Sequence, residues 1–147
     1  MFQFFRKRTH RKYSLPFGWK ITFPIDWEHE SYDDQDVFYP KDSDLTVRIS
    51  PLHVTNAAGE LAPIEVLDPS KSPLKEEAKL LYGFNQKTSD YLMFAYEDII
   101  TEDGEPLHHF HIQCTAPGDT LIISVFSEAR SECCRVLPFI KMIKKRR

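Results

Sequence analysis

The segment Leu107-His108-His109-Phe110-His111-Ile112-Gln113-Cys114 gathers more chemically versatile side chains than any other stretch of this sequence. On a strand, residues two apart share a face, so His109, His111 and Gln113 point one way and Phe110, Ile112 and Cys114 the other. Two imidazoles at His-x-His spacing can chelate zinc, although such a site needs three or four ligands. Set beside a carboxylate, the same imidazoles can act as a proton-sensing surface, because they titrate near neutral pH. The simplest reading is a half-solvated sheet face on which a carboxylate pairs with one histidine.

The flanking turns decide which residues these histidines meet. Asp103-Gly104 and Pro117-Gly118 both carry the chemistry of two-residue hairpin turns. Closing the first hairpin there sets Asp98 opposite His109 and Tyr96 opposite His111. Closing the second sets Ser124 beside His111, and Leu121, Ile123 and Val125 beside Cys114, Ile112 and Phe110. One face of the meander is then apolar. The other collects Tyr96, Asp98, His109, His111, Gln113 and Ser124, with Phe94, Ile122 and Phe126 among them. A slip of one residue would exchange the faces. Tyr96, Asp98, His109 and His111 are therefore the candidate partner-binding residues, and His109, His111 and Asp98 are the alternative metal ligands. No residue is assigned a catalytic role, and no cofactor is expected.

Other constellations carry less. Cys133 falls on the apolar side of a helical pattern, where a thiol packs rather than reacts. Asp33, Asp34, Asp36, Asp42 and Asp44 do not form an Asp-x-Asp-x-Asp-Gly loop closed by a glutamate, so they read as solvated hairpin edges. The sequence has no glycine-rich phosphate loop and no nucleophile elbow. Trp19, Phe23, Trp27, Phe38 and Tyr39 are spaced as strand core rather than as a stacking platform for bases.

The elements that must position these residues follow from periodicity. Trp19 to Phe23, Val37 to Tyr39, Leu45 to Ile49, Tyr91 to Ile100, Leu107 to Ala116 and Thr120 to Ser127 read as strands. Residues 2–12 suit a short helix or a loose tail, and residues 55–73 a long loop that extends the histidine face. Ser72-Pro73, with Glu76 and Glu77 in the first turn, opens a helix that Gly83 stops. That helix, Ser72 to Tyr82, is also able to cover the histidine face. A last helix spans 130–144, kinked or broken at Pro138. The fold class is α+β: a single domain over residues 1–147, with an antiparallel sheet of about six or seven strands and helices packed on it.

After the alternating strand Trp19 to Phe23, the segment Phe23-Pro24-Ile25-Asp26-Trp27 has a Phe-Pro-x-x-Trp pattern that resembles the opening of PsbP-like proteins. An early hairpin, a proline-capped helix, a meander with a Pro-Gly-Asp turn at 117–119 and a closing amphipathic helix follow in the same order. That superfamily includes an extrinsic photosystem subunit, a Ran-binding nuclear import factor and many uncharacterised bacterial domains. Its members are mostly non-catalytic binding or accessory proteins, so the resemblance implies binding and leaves the ligand open. Where the family usually has Ser-Ile after the last helix, this chain has Met142-Ile143.

At 147 residues, with 41% hydrophobic and 28% charged residues, the chain can bury a full core without staples. Three cysteines, two of them adjacent, suit reduced thiols. The N-terminus runs from Met1-Phe2-Gln3-Phe4-Phe5 to basic residues, the reverse of a secretory signal, and no apolar run is long enough to span a membrane. A cytoplasmic protein is expected. Residues 1–12 and 141–147 hold 10 of the 19 basic residues and none of the 22 acidic ones, leaving an acidic body between basic tails that can fray. If the ends meet, they form one basic patch. The expected function is a non-enzymatic protein-binding domain whose acidic body suits a basic protein partner, as toxin-immunity proteins do. Nucleic acid has no strong signal, and the oligomeric state is left open. The alternatives are a metal-dependent enzyme built on His109 and His111, or a module touching anionic membrane or nucleic acid through its basic ends.

Overall fold

Across residues 9–55, 57–60 and 78–146, which the computed structural model of the chain describes, eleven strands form two antiparallel sheets. The longest are the alternating segments of the C-terminal half: β8 (Leu92–Glu102), β9 (Glu105–Ala116) and β10 (Asp119–Ser127). Asp103 and Gly104 both take positive φ, 52° and 80°, giving the mirror-image turn whose twist matches the flanking strands. Pro117 and Gly118 close the next hairpin, with Gly118 supplying φ 77° where a side chain would strain. These turns fix the registers from Leu92↔Thr115 to Glu102↔Glu105 and from Asp119↔Ala116 to Ser127↔His108.

Beyond β10 the large sheet continues through β5 (Thr46–His53), β4 (Asp36–Tyr39) and β3 (Glu28–Ser31). On its other side, β6 (Lys79–Leu80) and β7 (Gln86–Lys87) pair with β8, which completes eight strands. A separate three-stranded sheet is ordered β1 (His10–Ser14), β2 (Trp19–Pro24), β11 (Lys144–Lys145). The core lies between the two. Trp19, Ile21 and Phe23 of β2 meet Phe38, Val47, Phe110, Ile112, Leu121 and Ile123 of the large sheet, all 2% exposed or less. Each such side chain contributes about 1.5–3 kcal/mol on burial, so this interface decides which face of each sheet turns outward. In the Phe-Pro-x-x-Trp segment, a turn closed by Trp27 N–H donating to the Pro24 carbonyl folds Trp27 back onto Phe23, ring centroids 5.2 Å apart.

Several expectations change. The single sheet of six or seven strands is instead eleven described strands in two sheets. The loop at 55–73 and the helix proposed from Ser72 fall mostly on residues 61–77, outside the described residues. Its C-terminal part is not helical: Lys79–Leu80 is strand β6. The Asn85 amide donates to the Leu81 and Ala95 carbonyls and accepts from Ala95 N–H, which ties this segment to β8. The last helix breaks into α1 (Arg130–Cys133), a 3₁₀ turn (Cys134–Val136) and α2 (Leu137–Ile140), with Pro138 in the first turn of α2. It ends before 144 because Lys144 and Lys145 pair with Lys20 and Trp19, satisfying the β2 edge. Residues 10–12, expected to be helical or loose, pair with Pro24, Phe23 and Thr22. The basic ends therefore meet on either side of β2.

Candidate functional site

The outer face of the large sheet is set by the meander's register. Asp98 lies opposite His109, Tyr96 opposite His111, and Ser124 opposite His111 on the other side, so the two-residue turns bring together the residues expected from the sequence. A single cross-strand row then runs Leu80, Tyr96, His111, Ser124, Arg48, Val37, Glu30. With neighbouring strands about 4.8 Å apart, that row spans roughly 29 Å.

Two aromatic pairs form its centre. Tyr96 stacks on His111 with centroids 4.9 Å apart and planes 20° from parallel, and His109 stacks on Phe126 at 4.8 Å and 13°. Arg48 places its guanidinium carbon 5.6 Å from the centre of the Phe126 ring. His109 Nδ1 hydrogen-bonds the Asp98 carboxylate at 2.6 Å, and both side chains are close to nine-tenths buried. The hydrogen bond fixes the imidazole's orientation and occupies the carboxylate that would have been the third metal ligand. Among the described residues, no group of three His, Cys, Asp or Glu side chains converges to hold a metal ion.

Burial lowers the pKa of His111 below its ordinary value, with nearby His109 adding to the effect and the Gln113 hydrogen bond opposing it. His111 is therefore neutral at pH 7, with Nε2 3.4 Å from Gln113 Oε1. Burial and the Asp98 charge raise the Tyr96 phenol, so it too stays neutral and able to donate. At the far end of the row, Glu30 accepts hydrogen bonds from Tyr32 (2.7 Å) and Tyr39 (3.0 Å), which hold its carboxyl below the usual range. The face thus offers an apolar edge, neutral aromatic and hydrogen-bonding groups in the middle, one cation and an acidic margin. Phe94 is buried at 6% exposure, whereas Tyr96, His111, Ser124 and Phe126 are half-buried.

The remaining candidates resolve structurally. Cys133 is buried, its thiol pushed up to about 12 chiefly by desolvation, with Sγ directed at the His108 carbonyl. Asp44 accepts from Ser127 Oγ at 2.6 Å and Glu128 N–H at 2.8 Å, anchoring the approach to α1. Asp36 binds His29 at 2.8 Å, and Asp42 lies 3.5 Å from Arg135. Two clusters escaped the sequence reading. Asp119 bridges His53 at 2.6 Å and Lys145 at 3.0 Å, and Arg130 clamps both oxygens of Glu97 at 2.8 and 2.9 Å. Only the β5–β10 register, which sets Asp119 opposite His53, would have revealed the first.

No protein-family model and no curated protein matches the sequence. Solved structures do. A protein from Bacteroides thetaiotaomicron superposes with TM-score 0.62 at 16% identity, covering 95% of this chain and 50% of its own, so this chain spans half its length. The cyanobacterial PsbP (CyanoP) of Synechocystis sp. PCC 6803 superposes with TM-score 0.60 at 12% identity, covering 94% of this chain and 93% of its own. The two-sheet architecture and the likeness to CyanoP across nearly the whole of both chains establish that this protein has a PsbP-like fold.

Proposed function

We propose that the chain is a non-enzymatic accessory domain that binds a protein partner on the sheet face carrying Tyr96, Asp98, His109 and His111. The observation that supports this most is the row centred on the Tyr96–His111 stack. Neutral, preorganised rings beside hydrogen-bonding groups are the composition of an interface centre, where aromatic residues supply contact area at low entropy cost. The acidic margin at Glu28 and Glu30 and the acidic body favour a partner with a basic surface, which opposite charge would steer in. The PsbP-like fold adds the expectation of a binding role. Three free thiols favour a reducing, cytoplasmic setting.

The test is quantitative purification from the native host, comparing the wild-type chain with Tyr96→Ala, with His111→Ala and with changes in the acidic 28–44 segment. A protein recovered stoichiometrically with wild type should be depleted by both face variants, each weakening binding by about 1–2 kcal/mol as anchor residues do. Recovery that survives both but is lost with the 28–44 changes would place the interface elsewhere.

A further inference from the structure

Where the β1–β2 connection meets the β3–β4 turn, the surface opens into a groove of about 560 Å³, within the roughly 300–1,000 Å³ of ordinary ligand clefts. Leu15, Pro16, Pro51 and Leu52 give it an apolar lining. Two aromatic rings in its walls stand open to solvent, Phe17 at 44% exposure and Tyr32 at 54%. Neither ring is loosely held. Phe17, at φ 64°, stacks one face on His53 with centroids 5.0 Å apart and planes 20° from parallel. Tyr32 N–H donates to the Gln35 carbonyl at 2.8 Å, and its hydroxyl donates to Glu30 at 2.7 Å.

The charge on this groove has one sign. Asp33, Asp34 and Asp36 line it, and no lysine or arginine does. Asp36 is engaged by His29 at 2.8 Å, whereas Asp33 and Asp34 are exposed and form no ion pair among the described residues. Arg11 lies over Tyr13, its guanidinium carbon 5.1 Å from the ring centre, which shows a ring of this groove already accepting a cation. Among the described residues, no cation lies over Phe17 or Tyr32.

Open ring faces and unpaired carboxylates are independent reasons for a cation to settle here, the first through the ring quadrupole and the second through charge. The same carboxylates repel nucleic acid and anionic lipid. A bare metal ion lacks a ligand set, because no three acidic, histidine or cysteine side chains converge among the described residues. A guanidinium satisfies both features at once. It is planar, stacks on rings, forks onto carboxylates and is more weakly hydrated than an ammonium.

We propose that the groove receives an arginine side chain from a basic segment of a partner protein, held by the Phe17 and Tyr32 rings and the Asp33 and Asp34 carboxylates. None of the residues of the Tyr96–His111 face lines this groove, so the inference stands whether or not that face is an interface.

The test titrates the full ¹⁵N-labelled chain with a capped, glycine-rich peptide carrying two arginines, and with its counterpart carrying neutral citrullines. The arginine peptide should shift the amide signals of Phe17, Tyr32, Asp33 and Asp34 saturably, and the effect should weaken as salt rises. The variant Asp33→Asn/Asp34→Asn should bind on the order of tenfold more weakly, about threefold for each exposed charge. Tyr32→Leu should lose about threefold, the worth of one exposed cation–ring contact. Circular dichroism of both variants should match wild type, because all three positions are exposed. Tyr96→Ala should bind the peptide as wild type does. No saturable binding, equal binding of the citrulline peptide, undiminished binding by the aspartate variant, or shifts centred on Tyr96 and His111 would each overturn the proposal.

Discussion

Burial keeps the His111 imidazole neutral where an exposed histidine would be partly charged, and the consequence is a pH dependence with a definite sign. The folded-state pKa lies below the ordinary value of 6.5, so the unfolded chain takes up the proton first as pH falls. Above about pH 6.5 the residue makes no difference to stability through protonation, and below it the folded state loses ground. Urea midpoints measured between about pH 7.5 and 5 should fall less steeply for His111→Gln than for wild type. Parallel curves would show that this burial does not govern the acid response. Asp44 shows the companion case. Its hydrogen bonds from Ser127 and Glu128 hold its carboxyl below the ordinary value of 3.8, so its stabilisation is present at neutral pH and is lost as pH falls through the lowered value. At His109 the issue is hydrogen-bond satisfaction. Asp98→Ala leaves a ring N–H without its acceptor in a site 11% exposed, which should cost about 1–3 kcal/mol in chemical denaturation.

At the scale of elements, the join between the two ends of the chain rests on one glycine. Gly18 has φ 84°, its carbonyl accepts from Arg146 N–H at 2.8 Å, and a Cβ there would stand 2.6 Å from the Arg146 carbonyl oxygen. Lys145 Nζ donates to the neighbouring Phe17 carbonyl. Gly18→Ala should therefore destabilise by roughly 1–3 kcal/mol, through a strained positive φ and a displaced β11. Faster hydrogen exchange at Arg146 than at β9 amides would confirm that the damage is local. The meander and its site pairs were legible in the sequence because two-residue turns leave one register, and alternation then assigns each side chain to a face. The short strands were not. Glu28–Ser31 has no apolar alternation, and Lys79–Leu80 and Lys144–Lys145 are strands only because a neighbouring edge needs partners. The helical spacing of Cys133, Val136, Leu137, Ile140 and Ile143 marks a buried side, and all but the half-buried Leu137 are buried, yet Ile143 lies beyond α2 and its carbonyl accepts from Tyr91 OH at 2.7 Å. Periodicity identified what is buried there and overstated the length of the helix.

For the whole molecule, two sheets sharing one core leave two outward faces of different character. The outward side of the small sheet carries Lys12, Lys20 and Lys144 among small polar residues, and the outward side of the large sheet is aromatic at its centre, with the Asp98–His109 pair beside it and an acidic margin. None of the helices among the described residues is long and apolar enough to cross a membrane. The central claim concerns the large-sheet face, and site-specific photo-crosslinking in the native host tests it most directly. A photoreactive side chain replaces Ser124, between His111 and Arg48 in the row, or Lys41, in the exposed turn before β5. The account predicts one dominant protein adduct from position 124, abolished when Tyr96→Ala is added, and little from position 41. A dominant adduct from position 41 with none from position 124 would contradict it.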